Sequence, residues 1–137
     1  MAGFSDFCEL KVLDNVNRVG AAYQPAALYL AIFTTNPNFE TGAGGVEATG
    51  GGYVRKALTM GSASGPSPAT AANTGALAWT VGTDIADGTY TGFGIFDSGP
   101  GAGGNMLWGA AYSANRVLAV TGDQINHAIG AIVDTLD

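Results

Sequence analysis

The hydrophobic period of this chain changes once, near Gly20, and that change limits the fold more than any other feature of the sequence. Over residues 5–19, a rotation of ~100° per residue gathers Cys8, Val12, Leu13, Val16 and Val19 into one apolar arc; Asp6, Lys11, Asp14, Asn15, Asn17 and Arg18 occupy the rest. Ser5 suits an N-cap, Asp6 lies at the positive end of the helix dipole, Arg18 lies near the negative end, and Gly20 can end the helix. Phe7 and Leu10 fall outside the arc. They are either covered by a neighbouring loop or turned towards another subunit.

After Gly20 the sequence reads as short strands and turns. Residues 26–34 form a nearly continuous apolar run suited to a central strand, and further strands are expected at 53–60, 77–81, 89–97, 105–112, 116–121 and 124–135. That spacing predicts a mainly β fold, an antiparallel β-sandwich or jelly-roll-like body carrying one N-terminal α-helix. The expected organisation is one domain over residues 1–137, with the helix in 1–20, the β body in 21–137, and flexible arms near 36–52 and 61–76. The second arm lies in a stretch, residues 57–83, that has no charged residue.

The stretch "GFGIFDSGPGAGGNMLWGAAY", residues 92–112, raises the question of a phosphate cradle. Such a cradle needs a strand, a glycine loop, and then a helix whose first amides face the anion. Here Met106, Trp108 and Ala110 alternate with Leu107, Gly109 and Ala111, which is the period of a strand. A β-hairpin with a glycine-rich loop at 99–104 is therefore expected, and no nucleotide or other cofactor.

The inventory of reactive residues narrows the chemistry. One histidine and one cysteine, far apart in sequence, do not assemble a zinc site of the usual nitrogen and sulfur type. His127 falls on one strand face with Ile125, Ile129 and Ala131 and reads as a packed or interface histidine. Asp84 and Asp87 flank a turn and read as turn formers, with calcium ligation as the alternative. No catalytic residue and no metal ligand is assigned, and the expectation is a protein that is not an enzyme. Net charge is −6, and of the five basic residues only Arg55 and Lys56 are adjacent, so no basic face for nucleic acid is expected. The longest apolar run is about half of the ~20 residues that a membrane-spanning helix needs, and no membrane segment or signal peptide is expected. Arg55 and Lys56, neighbours on a strand, must point to opposite faces; one is expected in solvent and the other near a carboxylate of a neighbouring strand or subunit. Trp79 and Trp108 lie within apolar strand patterns and are expected to be buried.

Four segments, "FSDFCELKVLDNV" with "ALYLAIFTT", "GGGYVRKALT", "GFGIFDSGPGAGGNMLWGA" and "VTGDQINHAIGAIVDTLD", resemble in order a group of small tailed-bacteriophage virion proteins. Members of that group are labelled head decoration, cement or tail-fibre proteins. The resemblance implies a structural, self-associating role in a virus particle assembled in the host cytoplasm. The leading expectation is a capsid decoration protein that clamps the major capsid protein lattice, most simply as a homotrimer. The alternatives are a tail or tail-fibre component and a receptor- or carbohydrate-binding module. Phe7, Leu10, Arg55 and Lys56 are the candidate oligomer or lattice interface.

Overall fold

The computed structural model describes residues 3–18, 20, 23–65, 68–99 and 103–136. In chain order the elements are β1 (Gly3–Phe4), α1 (Asp6–Asn17), β2 (Leu28–Thr35), β3 (Val46–Glu47), β4 (Lys56–Leu58), β5 (Ala69–Ala72), β6 (Leu77–Thr80), β7 (Gly88–Phe96), β8 (Met106–Leu118), β9 (Gln124–His127) and β10 (Val133–Leu136). The fold is mainly β with one helix near the N-terminus, and every pairing between these strands is antiparallel.

The main sheet has six strands in the order β1-β8-β7-β2-β3, with β4 also paired to β2. Two-stranded sheets β6-β9 and β5-β10 complete the strand pairing among the described residues. Alternation along β2, β7 and β8 sends Leu30, Ile32, Phe93, Ile95 and Trp108 to one face of the main sheet, where they meet Trp79 of β6 and Ile125 of β9 in the larger core. The result is a sandwich-like body. Trp79 and Trp108 are both buried, as their apolar strand settings require.

On the opposite face a smaller core joins Ala31, Phe33, Phe39, Phe96 and Met106. Glycine makes this second core possible. In "TGFGIF" and "MLWGAA" the glycines share the face opposite the large side chains, so the sheet is bare there and the loop after β2 can lie against it. A Cβ on Gly109 would stand 2.5 Å from the Phe39 ring, and one on Gly94 would stand 3.1 Å from the Phe33 ring and 3.2 Å from the Met106 sulfur. At Gly92 a Cβ would collide with the Asn36 amide.

Several expected boundaries shift. The strands expected at 105–112 and 116–121 are one strand, β8, interrupted by a bulge. Between the pairs Tyr90↔Arg116 and Gly92↔Ala111, β8 carries residues 112–115 where β7 has only Thr91. The strand expected at 124–135 is two, because Gly130 at φ 75° turns the chain after His127. Ile129 is consequently exposed, off the face it was expected to share with His127. The arm at 61–76 contains β5, which pairs with β10, and buried Asn73, whose amide donates to the carbonyls of Gly75 and Ala128. The arm at 36–52 supplies Phe39 to the smaller core and Ala48 to the larger one. Pro66, Ser67, Pro100, Gly101 and Ala102 of the expected arm and glycine loop lie outside the described residues.

Helix α1 begins as expected. Ser5 is its N-cap and accepts from the Cys8 amide at 3.3 Å, while its own amide and hydroxyl donate to the carbonyls of Leu107 and Met106 on β8. It ends at Asn17, capped by Arg18, two residues before the expected end; Val19 lies outside the described residues. The helix splits its apolar arc, and only Cys8 of the described arc residues faces the body. Val12, Leu13 and Val16 are exposed, while Phe7 and Cys8 turn inward. The cause is tertiary: the Phe7 ring meets the Tyr23 ring edge-on at 5.4 Å, and the Asn15 amide is hydrogen-bonded to the Tyr23 backbone in both directions, which fixes the rotation of the helix.

Candidate functional site

The densest polar cluster is built around Arg55. The residue precedes β4, whose pairing with β2 places Arg55 and Lys56 at the β2 edge of the sheet, on opposite faces as strand geometry demands. Arg55 is 6% exposed and meets the Glu47 carboxylate, while Lys56 is only partly exposed and has a carboxylate partner of its own, so neither member of the pair stands free in solvent. Its guanidinium lies 3.8 Å from the Phe96 ring centroid and forms a fork with Glu47, Nε to Oε1 and Nη2 to Oε2, each at 2.9 Å. Nη1 donates to the carbonyls of Ser98 at 3.0 Å and Gly103 at 2.8 Å. Planarity, several donors and weak hydration make arginine the residue that can be buried in this way; a lysine would supply neither the fork nor the stack.

This cluster answers the question of the glycine loop. The β7–β8 hairpin turns its Ser98 and Gly103 carbonyls onto a cation instead of turning amides onto an anion, and a strand follows it rather than a helix. Gly104 at φ 75° has no room for a Cβ beside Ser98, and a Cβ on Gly99 would stand 2.8 Å from the Tyr29 ring. Asp97 closes the base of the hairpin. Its carboxylate accepts from the Asn105 amide nitrogen at 2.7 Å, the Asn105 side chain at 2.9 Å and the Tyr23 hydroxyl at 2.6 Å. Burial alone would raise the Asp97 pKa; the bonds from Tyr23 and Asn105 outweigh it and hold the carboxyl below the usual range. Tyr53 supports the other side, donating to Glu47 at 2.7 Å and accepting from the Ile32 amide at 3.3 Å. Burial first, and then the bond to Glu47, push its phenol well up.

Lys56 lies on the far face, with Nζ 3.2 Å from Asp84 and 5.5 Å from the Trp79 ring centroid. Asp84 also accepts from the Thr80 amide at 3.0 Å, and that bond, ahead of Lys56, keeps its carboxyl low. It is a turn-capping acid, as its sequence setting suggests. Among the described residues no group of three or more His, Cys, Asp or Glu side chains is placed to hold a metal. No helix is long and apolar enough to cross a membrane.

His127 is buried beneath aromatic rings. Its Nε2 is 3.0 Å from the Tyr112 hydroxyl, and the rings of Phe93, Tyr112 and Trp79 stand 5.0, 5.8 and 6.2 Å away. Burial, helped by the Arg116 charge, lowers its pKa to about 4, so the imidazole is neutral at physiological pH. A second titratable group, the partly buried Asp134 on β10, has its Oδ1 enclosed with no hydrogen-bond partner; burial raises its pKa to about 6. Burial, followed by the Asp134 charge, pushes the Cys8 thiol on α1 up to about 11. A cleft of about 450 Å³ lies beside the smaller core, lined by residues 36–40 and Ala111.

The four sequence-derived interface residues do not form one surface: Phe7 and Leu10 share α1, and Arg55 and Lys56 lie on opposite faces of the sheet. Phe7 is half-buried against Tyr23, Leu10 is exposed on α1, Arg55 sits within the glycine hairpin cluster, and Lys56 meets Asp84 on the other face. Sequence reasoning missed Glu47, Tyr53, Asp97 and Asn105. The positions most open to discovery were Asp97 and Asn105, which bracket the glycine loop as a turn-closing pair does.

Fold and clusters together define a small antiparallel β protein whose polar side chains tie long loops onto a sheet. Compared with known families, residues 3–135 match the family described as podophage GP4 fiber I protein gp80, and the chain belongs to that family. It is a tailed-phage virion structural protein, related to fibres, in agreement with the resemblance read from the sequence. A comparison with curated proteins finds no match.

Proposed function

We propose that this chain is a non-enzymatic structural subunit of a podophage tail fibre, assembled into the virion in the host cytoplasm and working as a homo-oligomer bound to other virion proteins. The observation that carries the reading is the family match, which covers almost the whole chain and names a fibre protein. The architecture supports it. Loops that would be loose in an ordinary β-sandwich are tied down by Arg55, Asp97 and Asn73, as a part exposed to mechanical load requires. The side chains best suited to chemistry are engaged: His127 is neutral among aromatic rings, and Cys8 is held as a thiol. Burial of both tryptophans leaves neither as an aromatic platform for a sugar.

Copy number tests the reading. Quantitative mass spectrometry of purified virions, with antibody labelling under the electron microscope, should find few copies per particle, all at the tail. Abundance rivalling the major capsid protein, with label spread over the head, would make the chain a capsid decoration protein instead.

A further inference from the structure

The outward face of α1 carries an unpartnered apolar surface. Leu10, Leu13 and Val16 are 63, 58 and 78% exposed, and Val12 flanks them at 37%. An isolated surface leucine is ordinary, but four aliphatic side chains on three turns of one helix, with none of its residues buried, form a contiguous stripe.

The charges on the helix choose its occupant. Asp6 and Glu9 share the outward face and lie in the first turn, whereas Arg18 caps the other end, 70% exposed and held only by a 3.6 Å surface pair with Asp14. Copies packed in parallel would crowd these acids together and align their dipoles. Copies packed antiparallel bring Asp6 and Glu9 of one helix towards Arg18 of the other and oppose the dipoles. The stripe supplies roughly 400 Å² per copy, about half of what each partner gives to a standard interface, so the contact is weak alone and is reinforced by multivalency in an assembly.

We propose that this face is a self-docking surface, occupied by the same face of a second copy of this chain, antiparallel about a two-fold axis near Leu13. The proposal stands independently of where in the virion the protein sits. A three-copy assembly, if formed, would use other surfaces.

Sedimentation of the full chain from micromolar to millimolar concentration should show a monomer–dimer equilibrium. The double variant Leu13→Asp, Val16→Asp should lower the association constant at least tenfold with an unchanged circular dichroism spectrum; Leu13→Gln, a milder change, should lower it less. In a Cys8→Ser background, Leu13→Cys should oxidise to a disulfide-linked dimer. Asp6→Cys should link to Arg18→Cys in mixed samples but not to itself. A parent chain that stays monomeric throughout overturns the proposal, including the case in which a different virion protein covers the stripe. So do aspartate variants that still dimerise, or Asp6→Cys self-links that form faster than mixed ones.

Discussion

Between pH 4 and 6.5 the stability of this protein should be nearly flat, because buried His127 and partly buried Asp134 respond to acid in opposite directions. His127 titrates at about 4 in the folded chain against 6.5 when exposed. Through that window the unfolded chain takes up a proton that the folded one refuses, so stability present above pH 6.5 is lost as pH falls towards 4. The gap corresponds to about 3 kcal/mol. Asp134 titrates at about 6 against 3.8 when exposed. Here the folded chain keeps a proton that the unfolded one releases, so stability is fully present below pH 3.8 and is lost as pH rises towards 6, by about 2 kcal/mol after allowance for partial exposure. Asp84 and Asp97, both held low, act below this window. Guanidinium unfolding followed by the fluorescence of Trp79 and Trp108 at pH 6.5 and pH 4 should give stabilities within about 1 kcal/mol of each other for the parent. Asp134→Asn mimics the protonated acid and removes the compensation, so it should lose about 3 kcal/mol over the same interval; His127→Phe should gain about 2. An Asp134→Asn chain with the same flat profile as the parent would refute the reasoning.

Arg55→Lys should destabilise the chain by about 3 kcal/mol in thermal or denaturant unfolding, since it breaks the Glu47 fork and frees the Ser98 and Gly103 carbonyls inside the cluster. Gly109→Ala places a methyl against the Phe39 ring and should lower stability by about 1–3 kcal/mol; loss of protection at residues 36–45 in hydrogen exchange would locate the damage. Tyr23→Phe removes the donor to Asp97 and should cost about 1 kcal/mol or more, with an upward move of the Asp97 carboxyl titration in NMR.

Local periodicity was enough for the class of fold. The change near Gly20, the cap at Ser5 and the alternation of residues 26–34 and 89–97 specify one helix followed by antiparallel strands, because each depends on neighbours a few positions apart. The same rule placed Arg55 and Lys56 on opposite faces and made the glycine loop a hairpin. The sequence did not disclose which face of α1 turns inward: the apolar arc predicts one answer, and contacts with Tyr23, a residue beyond the helix, select the other. It also left open where Arg55 points, since Glu47, Ser98 and Gly103 reach it only after β3, β4 and the β7–β8 hairpin are assembled. Glycines 92 and 109 look like weaknesses in their strands until Asn36 and Phe39 lie over them. Short-range pattern sets what each segment becomes. Burial, ion pairing and the removal of side-chain bulk depend on residues tens of positions away, and only the closed fold determines them.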